Sequence, residues 1–277
     1  MRGGESFGFY ETIMYKNEKI IDRRDFLYKG FSFLFGSLFG LSSSSKALAF
    51  ERNRLFLKPC IAIIIDDIGV SFSRARQFLE LGVPITFSIL PRISHSYDLA
   101  LEIRDKGHEI MLHQPMEPLN PRINPGPGAL YVGYNVQRIV GIMEENFSSV
   151  PFAVGVNNHM GSRFTEQRRE VNDALSIVKE KGLYFVDSLT SKRSIAHETA
   201  KRLHMVTDFR NVFLDNQHNE SAILFQLNRL QNHALKYGHA IGIGHPYPQT
   251  AKAIGKFLRS PEYSDISLVH ISSIVRA

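Results

Sequence analysis

A single cysteine, Cys60, stands in 277 residues, so no intrachain disulfide framework can hold this chain together. Cys60 heads an apolar run, where cysteine packs as a small hydrophobe. The chain has no long block of like charge. Its formal net charge of +6 is dispersed, which excludes the basic tail or stripe of a nucleic-acid binder. It also lacks any apolar run of the roughly 20 residues that a membrane-spanning helix needs. With 43% hydrophobic residues, 20 Gly and 12 Pro, disordered and fibrous classes are excluded too.

What is there begins with an address. Asp22-Arg23-Arg24-Asp25-Phe26-Leu27 precedes an apolar stretch from Phe31 to Leu41, then serines and Lys46-Ala47-Leu48-Ala49. A charged region, a short apolar region and a small-residue cleavage site are the parts of an export signal. The arginine pair resembles the signal read by the twin-arginine export machinery. Residues 1–49 are therefore expected to be cleaved. Residues 50–277 would remain as one mature domain in the periplasm or outside the cell, with no stable membrane span.

From Cys60 onward, short apolar runs alternate with amphipathic stretches. The runs Cys60–Ile65, Ile85–Leu90, Glu109–Leu112, Phe152–Val156, Leu183–Val186, His204–Thr207, Ala240–Ile243 and Ser267–His270 read as buried parallel strands. Three helical stripes lie between them: Ile139, Ile142, Met143 and Phe147; Val171, Ala174, Leu175 and Val178; Ile223, Leu227, Leu230, Ala234 and Tyr237. Asn135, Thr165 and Asn219 read as N-caps, and Gly82, Gly107, Gly182 and Gly238 as helix ends. This succession predicts a single-domain (β/α)7–8 barrel with parallel strands, interrupted by a proline-rich loop over residues 114–134.

Polar residues then load the strand ends. Asp66-Asp67 follows the first strand and His113 the third; Asn157-Asn158-His159, Asp187-Ser188, Asp208 and His245-Pro246 follow later ones. In a parallel barrel all of these face the C-terminal rim, where such folds carry chemistry. Asp and His are ligands for a zinc-like divalent ion, with a carboxylate beside it to take a proton and a histidine to give one. Adjacent aspartates on an extended chain point to opposite sides, so Asp66 and Asp67 should differ in role. The plainer readings are caps: the aspartate pair for a helix near Ser71, and Asp187 and Asp208 for later helices. Arg163 reads as a surface residue or as a partner for Asp66 or a substrate oxygen.

At these residues the sequence resembles the polysaccharide deacetylases, in particular their divergent branch. The carrying segments are Ile63-Ile64-Ile65-Asp66-Asp67, Gly107-His108-Glu109, His113 through Pro118, Asn157 through Phe164, Phe185-Val186-Asp187-Ser188 and Ile243-Gly244-His245-Pro246. The resemblance implies that Asp66 is the general base, Asp67 a metal ligand, His113 a second ligand and His245 the general acid. Where that family carries its next histidine ligand, four residues on, this chain has Glu117. The third ligand is therefore expected at His159, with Glu117 as competitor, and the metal is expected to be zinc. The implied function is hydrolysis of N-acetyl groups on a polysaccharide or cell-wall glycan, with Arg163 and Asp187 as further site residues. The alternative is a catalytically silent glycan-binding or envelope scaffold protein on the same barrel.

Overall fold

A computed structural model describes residues 58–276, and the export signal expected over residues 1–49 lies outside the described residues. Nine strands form one sheet: β1 (Cys60–Ile68), β2 (Thr86–Ile89), β3 (Glu109–Met116), β4 (Gly155–Met160), β5 (Tyr184–Asp187), β6 (Thr207–Phe209), β7 (Val212–Phe213), β8 (His239–Gly244) and β9 (Ser267–Leu268). Their order is β6-β5-β4-β3-β2-β1-β8-β7, with β9 beside β1, and the paired strands run parallel. Helices α1 (Phe72–Leu79), α2 (Ser96–Asp105), α3 (Val136–Ser149), α4 (Arg168–Glu180), α5 (Ala196–Arg202), α6 (Glu220–Tyr237) and α7 (Pro248–Leu258) connect them. The result is the single-domain α/β barrel that the strand–helix alternation predicts.

The sheet curls because its two ends are nearly one segment. Only Arg210 and Asn211 separate β6 from β7. The Arg210 N–H donates to Asp187 O on β5 at 3.0 Å, while the next N–H, of Asn211, donates to Ile241 O on β8 at 2.9 Å. Consecutive residues thus bond to opposite edges and bring the barrel round on itself. β7 is too short to stand out as an apolar run and escapes the sequence reading.

Alternation within the strands divides the core. Ile61, Ile63 and Ile65 pack outward with helix residues such as Phe78, Leu99, Ile139, Leu175, Leu227 and Ile254. Ala62 and Ile64 join Met111, Val186, Ile241 and Ile243 in a second cluster that fills the interior of the curl. Burying each Ile, Val and Met side chain of this inner cluster contributes roughly 1.5–3 kcal/mol. Continued by two residues, the same inward phase reaches Asp66 on β1, His113 on β3 and His245 after β8.

Several expectations need correction. β4 begins at Gly155 rather than Phe152, because Phe152 has φ 67° and is 44% exposed. His204 likewise has φ 56°, so β6 starts only at Thr207. β3 runs on through Met116 and takes the head of the expected loop into the sheet, while β9 stops at Leu268. Asn135 and Asn219 cap α3 and α6 through their side chains, but Thr165 does not cap α4: its hydroxyl donates to Gly161 O at 2.8 Å. Tyr237 faces solvent. Gly238 ends α6 at φ 91°, a left-handed turn that costs glycine little, and the other three expected helix ends also have positive φ.

Candidate metal and catalytic site

β3 and β4 set the first part of the site. His113 is in register with Asn157, and His159 stands two residues further along β4, so all three share the inward side. β1 supplies the aspartates through a distortion. Its pairing with β2 shifts between Ile65 and Ile68, and Asp67 takes φ 56°. The bulge breaks the alternation and turns Asp67 toward the side Asp66 already faces. Both therefore approach His113 Nε2, Asp66 Oδ2 at 3.6 Å and Asp67 Oδ1 at 3.2 Å. This corrects the expectation that adjacent aspartates point apart. Neither caps a helix, since Ser71 Oγ accepts from the Arg74 N–H at the start of α1.

Asp67, His113 and His159 converge, with ligand-type atoms all within 4.8 Å of one another. His159 Nδ1 lies 2.9 Å from Asp67 Oδ1 and 3.1 Å from His113 Nε2. Asn157 fixes how His113 presents itself. Its Nδ2 donates to Asp66 Oδ1 at 2.8 Å, so its Oδ1 must accept from His113 Nδ1 at 2.7 Å. That leaves His113 Nε2 facing the cluster. Asp67 Oδ1 is buried without a well-aligned hydrogen bond. Three electron-donating atoms therefore crowd together, two of them nitrogens that cannot both donate across their shared gap. A divalent cation satisfies all three, and two imidazoles with one carboxylate are a zinc-type donor set. The residues fit the metal.

Charge around the cluster is set by burial and by neighbours. Burial raises the Asp66 carboxyl above its ordinary range, against the opposing pull of His113, His245 and the Asn157 hydrogen bond. Burial works the same way on Asp67, but His113 and His159 outweigh it and hold that carboxyl far below the usual range. Burial would lower His245; instead its hydrogen bond to Asp215 and the charges of Asp66, Asp215 and Asp67 push it up to about 9. His245 Nδ1 donates to Asp215 Oδ1 at 2.9 Å, which leaves Nε2 pointing toward the cluster, 3.9 Å from Asp67 Oδ2.

Asp215 is a residue the sequence reading missed. It is 1% exposed and also accepts from Thr250 Oγ1 at 2.8 Å. A signal was present: Val212-Phe213-Leu214-Asp215 is another short apolar run ending on a carboxylate. Arg210 was missed as well. Its Nε and Nη2 donate to Ser188 O and Leu189 O, and it lines the cleft beside Asp66.

Other expected site residues lie apart from this cluster. Glu117 lies outside the group formed by Asp67, His113 and His159: Arg163 donates to its Oε1 at 2.7 Å and the Val132 N–H to its Oε2 at 2.8 Å. Arg163 is committed to that pair and does not reach Asp66. Asp187 is buried but does not line the cleft; its oxygens accept from Leu189 N, Ser194 Oγ and His197 N, the last in the first turn of α5. Asp187 thus does serve the start of α5, whereas Asp208 pairs with His239 at 3.0 Å rather than capping a helix.

A cleft of about 760 Å³ opens over the cluster. Asp66, Asp67, His113, His159 and His245 line one part of it; Phe213, Gln226 and Arg229 line another. Among the described residues no helix is long and apolar enough to cross a membrane.

Comparison with known proteins places this geometry. The sequence profile of the divergent polysaccharide deacetylase family matches residues 63–275. The uncharacterized protein YibQ of Escherichia coli K12 is 33% identical over 215 residues, covering 78% of this chain and 67% of that protein. A crystal structure of an uncharacterized protein from Agrobacterium tumefaciens C58 is 26% identical with TM-score 0.75, covering 79% of this chain and 90% of that one. A CE4 family pseudoenzyme from Bacillus anthracis shares the fold at 14% identity and TM-score 0.50, covering 79% of this chain and 66% of that one.

Proposed function

We infer function from one premise: this chain belongs to the divergent polysaccharide deacetylase family. We propose that it is a zinc-dependent hydrolase that removes acetyl groups from an N-acetylated glycan. The observation that carries the proposal is the meeting of Asp67, His113 and His159 with Asp66 and His245 in one cleft.

Asp67, His113 Nε2 and His159 Nδ1 would hold the metal. When bound, it supplies a Lewis acid that polarises the acetyl carbonyl and makes water more acidic. The remaining steps belong to the protein. Asp66, fixed by the Asn157 amide, accepts the proton of the attacking water. His245 Nε2 gives a proton to the departing amine nitrogen. Asp215 supports that donation by holding the Nδ1 proton and stabilising the imidazolium. The amide C–N bond breaks, leaving acetate and a free amine on the sugar.

The test is acetate release from N-acetylated glycan oligomers by the zinc-loaded protein. Asp66→Asn should bind zinc as wild type does and lose roughly 10²-fold or more in turnover, the usual worth of base catalysis. Zinc bound with no acetate released across a broad glycan panel would instead identify a silent glycan-binding barrel.

Export belongs to the same proposal. The arginine pair, apolar stretch and Ala47-Leu48-Ala49 support secretion through the twin-arginine route to the periplasm or beyond. N-terminal sequencing of the envelope-fraction protein should read from Phe50. An intact residue 1–49 segment on cytoplasmic protein would refute it.

A further inference from the structure

Away from the metal cluster, the cleft changes charge. Asp66 and Asp67 are the only acids among its described lining residues, and both are committed to the cluster. Beyond the cluster and His245 beside it, the charged side chains on its wall are Arg210 and Arg229. Arg210 is tied to two carbonyls, Ser188 O and Leu189 O. Arg229 is different. It stands on α6, one turn from Gln226, and its Nη1 donates to Gln226 Oε1 at 3.1 Å. Among the described residues it makes no ion pair with a carboxylate, although exposed arginines elsewhere on the surface do, as Arg76 with Glu102 and Arg193 with Glu166. Gln226 steers the guanidinium along the cleft wall without neutralising it. The planar fork of donors left over matches a carboxylate or a phosphate.

The volume supports a ligand larger than an acetyl group. About 760 Å³ lies in the range of roughly 300–1,000 Å³ typical of small-molecule sites. A sugar whose acetamide reaches the metal cluster therefore leaves space for a neighbouring unit against α6. A neutral neighbour would gain little from an unpaired guanidinium. An acidic one would gain a charge-assisted hydrogen bond and, at low salt, faster encounter.

We propose that Arg229, with Gln226 beside it, forms a subsite for an anionic group on the glycan, one sugar removed from the acetamide that is hydrolysed. This rests on the deacetylase reading for the position of the acetamide, but the binding of an anion does not depend on turnover. The group is a carboxylate or a phosphate, which share the same recognition by the fork.

The experiment measures binding by calorimetry and acetate release in parallel, on the zinc-loaded protein. The probes are a neutral N-acetylglucosamine tetramer, a tetrasaccharide alternating N-acetylglucosamine with glucuronate, and an N-acetylglucosamine tetramer bearing 6-phosphates. At least one anionic probe should bind roughly two- to fivefold more tightly than the neutral one in low salt, a gain typical of a solvent-accessible charged contact. Which one binds best identifies the group. Raising the salt should erase the difference, as should Arg229→Gln, while Arg229→Lys should keep part of it. Equal binding of all probes, no binding of any, or a preference that survives Arg229→Gln overturns the subsite. Charge-selective binding without acetate release would keep the subsite and reject the hydrolase; acetate release without charge selectivity would do the reverse.

Discussion

Asn157 shows how much one buried amide can organise. It is fully buried and serves Asp66 with its nitrogen and His113 with its oxygen, where the Ser88 hydroxyl also donates. A base and a metal-binding ring are thus oriented by one side chain. Asn157→Ala should cost roughly 1–3 kcal/mol in urea unfolding, because it leaves buried partners unpaired. The same variant should weaken zinc binding by about 10–100-fold, the usual effect of removing a residue that orients a ligand. The Asp215–His245 pair makes a separate prediction for the metal-free protein. His245 is raised to about 9 from its ordinary 6.5. Its stabilising contribution is therefore fully present below pH 6.5 and is lost as pH rises through 9. Asp215→Asn should flatten this fall in melting temperature across that interval. An unchanged profile would mean that Asp215 does not hold the proton on His245.

At the scale of elements, the end of β1 decides the site. Asp67 occupies left-handed backbone at φ 56°, which asparagine tolerates and a β-branched residue does not. Asp67→Asn keeps the backbone but loses the charge that His113 and His159 stabilise, so it should lower the melting temperature and weaken zinc binding sharply. Asp67→Val should lose further stability, by roughly 1–3 kcal/mol of backbone strain. Thermal melts with and without zinc separate the two variants. The same strand explains what was legible in advance. Ala62, Ile64 and Asp66 keep one inward phase, as do Met111 with His113 and Ile243 with His245, so period-two reading finds these residues. The bulge that aims Asp67 is invisible to that reading, because it follows from barrel curvature rather than from local pattern. The closing strand was hidden for a similar reason. β7 has two residues and gains its place only from the edge of β8, so Asp215 just beyond it was not read as a strand-end carboxylate. Glu117 and Arg163 misled because proximity in sequence to His113 and His159 says nothing about their pairing with each other across 46 residues.

The whole molecule separates stability from chemistry along the barrel axis. Parallel strands put Asp66, His113, His159 and His245 at one end, while the opposite end is held by Glu109, the first residue of β3. Its carboxylate accepts from Thr86 Oγ1 and Tyr184 OH, each at 2.9 Å, and from the Ser272 N–H at 3.2 Å. Three strands and the chain's C-terminal turn are thereby tied to one buried acid. Glu109→Leu removes the acceptor and strands those donors, which should cost roughly 2–4 kcal/mol. Among the described residues no hydrogen bond or ion pair joins its carboxylate to the metal cluster, so zinc affinity should stay within about twofold, the size of a small non-specific effect. Asp66→Asn should behave in the opposite way in the metal-free protein. Burial raises the Asp66 carboxyl, so its ionised form is disfavoured in the folded state, and removing that charge should leave the melting temperature unchanged or higher. Turnover should nonetheless collapse. Melting curves, zinc titration and acetate release on the two variants make the comparison. If Glu109→Leu weakened zinc binding as much as it weakened the fold, the two ends of the barrel would be coupled, and the axial division would fail.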